Sequence, residues 1–117
     1  MSKYVALGAG QLSVTVVKCS QLIAADMGGA SDPYVVVKCA HSVKKTKTVK
    51  ATLNPEFNER FKFRVRDAAS ETLTLQVFDW DRISSDDQLG NVTIPVKEIA
   101  NDPGRTAVGG RWCELFS

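Results

Sequence analysis

Apolar and polar residues alternate with a period of two in several separate stretches: Leu12, Val14, Val16; then Phe61, Phe63, Val65; then Leu73, Leu75, Val77; then Val92, Ile94. That period belongs to a strand with one face in a core and the other in solvent, because successive side chains leave opposite faces of the pleat. Turn-forming residues interrupt the stretches at Gly28-Gly29, Asn54-Pro55, Gly90-Asn91, Asp102-Pro103-Gly104 and Gly109-Gly110. Short alternating strands at such spacing predict an antiparallel β-sandwich. Strands are expected near 11–18, 34–40, 43–50, 59–66, 72–79, 89–95 and 111–116, with Lys3 to Leu7 as a weaker eighth and one helical turn over Val96 to Asn101.

The chain has 117 residues, 44% of them hydrophobic, which suits a single domain over 1–117 with a core of its own. The longest apolar runs, such as Leu22-Ile23-Ala24-Ala25 and Tyr34-Val35-Val36-Val37, are four residues long, against the roughly 18 that a membrane-spanning helix needs. Met1 to Gly10 lacks the apolar region of a secretory signal, so the cytosol is the expected compartment. Cys19, Cys39 and Cys113 are an odd and widely spaced set, for which buried, reduced thiols are expected rather than a disulfide framework. Cys39 and His41, the one histidine, lack the paired spacing of zinc sites.

Fifteen Lys and Arg against thirteen Asp and Glu give a net charge of +2, too balanced for a nucleic-acid coat. The balance hides two poles. From Lys38 to Arg66, nine basic residues (Lys38, Lys44, Lys45, Lys47, Lys50, Arg60, Lys62, Arg64, Arg66) face only Glu56 and Glu59, a local charge of +7. Their alternation with Thr46, Thr48, Phe61, Phe63 and Val65 predicts that the charges share one solvent-facing surface. The acidic pole is Asp79-Trp80-Asp81 with Asp86 and Asp87, whose like charges repel by roughly 1 kcal/mol per close pair in water.

An Asp-rich stretch alone is more readily a solvated loop than a cation site. An EF-hand is excluded, because Ile83 and Ser84 stand where its fifth and sixth positions need Asp or Asn and Gly. A sugar-nucleotide transferase would need a donor pocket that a small all-β chain has little room for. Asp79 and Asp81, two residues apart on a strand, leave on the same side and can share an ion. A second acidic element, Asp26-Met27-Gly28-Gly29-Ala30-Ser31-Asp32-Pro33-Tyr34, bends at its glycines so that two carboxylates can converge. Five Asp on two loops suit calcium, which takes six to eight oxygens in a flexible geometry, better than magnesium or zinc.

These residues resemble a C2 domain over nearly the whole chain. The resemblance is carried by Gly10-Gln11-Leu12, the Asp26 to Val35 segment, Lys47-Thr48-Val49-Lys50, Thr52-Leu53-Asn54-Pro55, Glu56-Phe57-Asn58-Glu59, Phe78-Asp79-Trp80-Asp81-Arg82 with Asp87 and Gly90, and Arg111-Trp112-Cys113-Glu114-Leu115. It implies an all-β, eight-stranded antiparallel Greek-key β-sandwich with calcium-binding loops at one end. It implies a ligand set of Asp26, Asp32, Asp79, Asp81 and Asp87, backbone carbonyls of Ala25, Trp80 and Ser85, and the Ser84 hydroxyl, for two or three calcium ions. Asp86 matches no ligand position and is expected to act as nearby charge. For the eighth strand, an opening strand at Lys3 to Leu7 is the expected topology; the alternative is a missing or exchanged strand that exposes a sheet edge and invites dimerisation.

Six aspartates against Arg82 give the loop tip a charge of −5, so calcium would turn a surface that repels anionic lipid into one that binds it. Met27 and Ile83 stand where the family places membrane-inserting residues, and Arg82 beside them faces lipid. Lys38, Lys44, Lys45, Lys47 and Lys50 are expected to meet anionic lipid. Lys38 and Lys45 occupy two of the family's four phosphoinositide-binding lysine positions, and Val36 and Val43 the other two, which favours general over specific attraction. The expected function is calcium-dependent binding to anionic phospholipid membranes, phosphatidylserine and phosphoinositides included. The chain would act as a non-enzymatic peripheral module recruited to the cytoplasmic face of membranes. A protein-interaction module is the second reading. Catalysis is disfavoured by the lack of a nucleophile paired with a base, and nucleic-acid binding by the lack of an aromatic ladder.

Overall fold

The computed structural model describes residues 10–20, 22, 31–67, 69–81, 83, 85–101, 105–108 and 111–116. The strands are β1 (Gly10–Ser20), β2 (Pro33–Cys39), β3 (Ser42–Lys45), β4 (Glu56–Val65), β5 (Thr72–Asp79), β6 (Asp87–Pro95), β7 (Arg105–Val108) and β8 (Arg111–Phe116), with a short helix α1 (Val96–Asn101). They form two antiparallel four-stranded sheets, ordered β4-β1-β8-β7 and β3-β2-β5-β6. The period-two residues make the core: Leu12, Val14, Val16, Val35, Val37, Phe63, Val65, Leu73, Leu75 and Val77 are all buried in one cluster. Burying side chains of that size stabilises by about 1.5–3 kcal/mol each, which outweighs any single loop preference and sets which face of every strand turns inward.

Two expectations are corrected, and one strand is added. The strand β7 carries no alternating apolar signal and is absent from the expected set, whereas Lys3 to Leu7 lies outside the described residues. Over Thr15 to Ser20 the neighbour of β1 on the side away from β4 is β8, supplied from the far end of the chain. The strand expected over 43–50 stops at Lys45. Beyond it the Thr46 hydroxyl, not a main-chain carbonyl, accepts the Val35 N–H at 2.9 Å, so the chain leaves the regular ladder while Thr46 stays buried. Finally, Cys19 is disulfide-bonded and lies opposite Cys113 in the β1–β8 register, while Cys39 is a buried free thiol. The sequence spacing of the cysteines does not announce that antiparallel pairing sets these two positions opposite each other.

Candidate functional site

Three adjacent strands carry the acidic residues to one end of the sandwich. Pro33, which follows Asp32, pairs with Asp79 across β2 and β5, and Asp79 pairs with Asp87 across β5 and β6. The second pairing depends on an irregularity. Val77 faces Gly90, but Phe78 faces Gln88 and Asp79 faces Asp87, so β6 carries one extra residue at this point. In an unbroken ladder Asp79 would face Gln88. A bulge of this kind re-aims the side chains beyond it, and here it sets two acidic residues directly across from each other, a pairing in which like charges repel. Asp79 continues the inward phase of β5 and is only 6% exposed, while Asp87 is exposed.

Main-chain donors from distant segments hold this end. The Asp32 N–H donates to Asp79 Oδ1 at 2.8 Å, and the Trp80 N–H donates to the Asp32 carbonyl at 2.9 Å. The segment between β3 and β4 runs alongside as a strap: the Val49 N–H donates to the Pro33 carbonyl, the Thr52 N–H to the Ser31 carbonyl, and the Ala51 N–H to Asp32 Oδ1 at 2.7 Å. Ala51 has a φ of 55°, a left-handed conformation unusual for a residue with a Cβ. On the same strap the Lys50 ammonium sits 3.8 Å from the centre of the Trp80 ring, a cation–π contact.

The β5–β6 connection is organised by Asp86. Its Oδ1 accepts the Asp81 N–H at 2.8 Å, its Oδ2 accepts the Tyr34 hydroxyl, and Asp81 Oδ1 accepts the Ile83 N–H at 2.8 Å. The Tyr34 bond and the Asp81 N–H hold the Asp86 carboxyl below its ordinary value. Burial, then Asp86 as partner and neighbouring charge, pushes the Tyr34 hydroxyl up to about 12. Tyr34 also stacks on Phe78, ring centres 5.5 Å apart. Ile83 is 87% exposed at this end, and Ser85 is exposed beside it. Sequence reasoning gives Asp86 only a background charge and Tyr34 no role; neither partnership has a signature in the residue order.

Of the expected ligands, Asp32, Asp79, Asp81, Asp87, Trp80 and Ser85 are thus at one end of the sandwich. Ala25, Asp26, Met27, Arg82 and Ser84 lie outside the described residues. Among the described residues no three His, Cys, Asp or Glu side chains are grouped closely enough to hold a metal ion. The chemistry of the donors fits calcium: the candidate groups are carboxylate, hydroxyl and carbonyl oxygens, and a carboxylate that accepts one N–H keeps acceptor capacity for a cation.

The basic residues do not share one surface as expected. Lys38 lies opposite Val43 and Lys45 opposite Val36, so these two point outward from the β3-β2-β5-β6 sheet, where Val43 is 62% exposed. Lys62 and Arg64 face Ser13 and Gln11 on the outer side of the other sheet. Lys44 pairs with the buried Val37 and reaches across the sandwich edge to the Lys62 carbonyl at 2.9 Å. The Lys47 N–H similarly donates to Glu59 at 2.8 Å. The expected patch is split because β3 and β4, adjacent in sequence, belong to different sheets. A cleft of about 260 Å³, lined by Tyr34, Lys45, Thr46, Thr48, Trp80 and Asp86, sets one cation against one carboxylate.

The C2 domain family model matches residues 10–113. Synaptotagmin-1 of Aplysia californica is 46% identical over 92% of this chain and 26% of its own length. Synaptotagmin-3 of Arabidopsis thaliana is 42% identical over 81% of this chain and 18% of its own, and the eye isozyme of protein kinase C from Drosophila melanogaster is 36% identical over 86% and 15%. The chain thus spans about a quarter or less of these relatives. Among solved structures, a C2 domain of plant extended synaptotagmin 1 superposes with a TM-score of 0.75 at 32% identity, over 93% of this chain and 92% of that one. Human GIVD cytosolic phospholipase A2, in complex with methyl gamma-linolenyl fluorophosphonate and terbium chloride, superposes with 0.80 at 28% identity, over 92% of this chain and 17% of that one. With the sandwich, the acidic end and these matches together, the chain belongs to the C2 domain family.

Proposed function

We propose that this C2 domain binds anionic phospholipid membranes in a calcium-dependent way, as a non-catalytic peripheral module. The observation that carries the reading is the strand register, which brings Asp32, Asp79 and Asp87 to one end of the sandwich beside an isoleucine that is 87% exposed. Asp26, Asp32, Asp79, Asp81 and Asp87 would hold two or three calcium ions, with the Ala25, Trp80 and Ser85 carbonyls and the Ser84 hydroxyl completing the oxygens. Bound calcium supplies positive charge and coordination positions that lipid phosphate oxygens can fill. The chain's own part is to gather these carboxylates and Asp86, whose net charge, −5 with Arg82 included, keeps the tip off an anionic surface until it is offset. Ile83, with Met27 on the other loop, contributes apolar area to the bilayer at about 1.5–3 kcal/mol per buried side chain. Lys38, Lys45, Lys47 and Lys50 add attraction to phosphatidylserine or phosphoinositides of about 1 kcal/mol per residue near the surface.

Calcium titration calorimetry with and without phosphatidylserine-containing vesicles tests the reading, together with sedimentation of the same vesicles. Tighter calcium binding with vesicles, and sedimentation lost on chelation, is the expected result. Equal sedimentation with calcium and with chelator overturns it. Among the described residues no helix is long and apolar enough to cross a membrane.

A further inference from the structure

The loop between β5 and β6 carries Asp81 and Ile83, two residues that the proposed function uses. Its conformation is closed by Asp86. One carboxylate oxygen accepts the Asp81 N–H and the other the Tyr34 hydroxyl, which comes from β2, 52 residues earlier. Asp81 in turn accepts the Ile83 N–H. The hydrogen bonds therefore run without a break from Tyr34, through Asp86 and Asp81, to Ile83. Tyr34 is itself fixed by stacking on Phe78 and by its place opposite Phe78 in the β2–β5 register. Its hydroxyl is thus a fixed point on the sheet, and Asp86 is the bridge from that point to the loop.

We propose that Tyr34 and Asp86 form a clamp that positions Asp81 and Ile83 for calcium and membrane binding, both acting as positioning residues rather than as ligands. The proposal rests on the calcium-dependent reading above, but the clamp has a readout of its own. A carboxylate that merely adds negative charge to the tip would act independently of Tyr34. In a clamp Tyr34 acts only through Asp86, so once Asp86 is gone the removal of Tyr34 adds nothing.

The test is a double-mutant cycle with Tyr34→Phe, Asp86→Ala and the double variant. Two quantities are measured on the whole chain: amide hydrogen exchange at Asp81 and Ile83 in calcium-free buffer, and calcium affinity by calorimetry with phosphatidylserine vesicles. Tyr34→Phe is expected to speed exchange at both amides about tenfold, the scale of one charge-assisted hydrogen bond lost, and Asp86→Ala, which removes the acceptor of the Asp81 N–H as well, at least as much, with the Val35 amide unchanged as a control on the fold. Calcium affinity is expected to fall in each, and the double variant to match Asp86→Ala. Asp86→Asn, which keeps an acceptor oxygen for the Asp81 N–H, is expected to recover part of both losses. Additive effects, or exchange at Asp81 and Ile83 that Tyr34→Phe leaves at the wild-type rate, overturn the clamp. A wild-type chain that binds no calcium overturns the underlying reading instead, and the exchange data then judge the clamp separately.

Discussion

Carboxylates accept hydrogen bonds at both ends of the sandwich, but only at the acidic end do some of them reach over long stretches of chain. At the end carrying Cys39 and α1, Glu71 Oε2 accepts the N–H groups of Arg66 and Asp67, five and four residues away, and Asp67 accepts the Ala69 N–H two residues away. At the acidic end, Asp79 accepts from a residue 47 positions earlier, Asp32 from one 19 positions later, and Asp86 from Tyr34, 52 positions earlier. The first kind of bond closes a turn and can form as soon as the turn does. The second kind exists only once β2, β5, β6 and the strap over 46–55 are in place. The contrast shows how like charges come to be held together: Asp32, Asp79 and Asp86 are each fixed by a donor that folding delivers, so the repulsion among them is overcome by the whole sandwich. At the other end the negative charge has a different effect. Burial, with the nearby Glu71 charge behind it, pushes the Cys39 thiol above its ordinary value, which leaves that cysteine protonated and unreactive at neutral pH.

The sharpest way to break the comparison is Asp79→Ala. It strands the Asp32 N–H at the buried strand end and removes a proposed ligand, so urea unfolding is expected to show a loss of about 1–3 kcal/mol and vesicle sedimentation to lose its response to calcium. Asp79→Asn separates the two roles: the amide oxygen still accepts the N–H, so stability is expected to recover while the calcium response stays lost. Ile83→Ala comes next. It leaves the main-chain bond to Asp81 intact and removes exposed apolar area, so vesicle affinity is expected to fall by up to about 1.5 kcal/mol, with the unfolding midpoint and lipid-free calcium titration unchanged. The smallest effect is expected at the local end. Glu71→Ala removes an acceptor from two exposed N–H groups that water can replace, so it should cost about 1 kcal/mol of stability and leave calcium-dependent sedimentation as it was. A Glu71→Ala chain that lost vesicle binding would show that the two ends are not independent.

Most of the sandwich is legible in the residue order because its core residues repeat every two positions, and a one-residue slip would expose the entire inward set of a strand. The exceptions are where another force decides. The strand over Arg105–Val108 has little apolar alternation to announce it and exists by pairing with β8. The expected strand past Lys45 is interrupted by one hydroxyl, that of Thr46. The basic residues of 38–66 look like one surface because they are close in sequence, yet β3 and β4 lie at the edges of different sheets, and Lys44 links the two edges. In the candidate site, the types and spacing of the acidic residues can be read in advance. That Asp86 is a bridge to Tyr34 cannot, because a hydrogen bond across 52 positions leaves no local pattern.

The order of residues was enough, on its own, to establish an all-β sandwich, its inward faces and an acidic pole suited to calcium, since all three follow from periodicity and from residue type. Folding in three dimensions settled the rest. One extra residue in β6 puts Asp87, and not Gln88, across from Asp79; a strap turned at Ala51 delivers an N–H to Asp32; and Cys19 comes to lie opposite Cys113. Register, bulges and long-range hydrogen bonds are properties of paired strands, which no single stretch of chain contains.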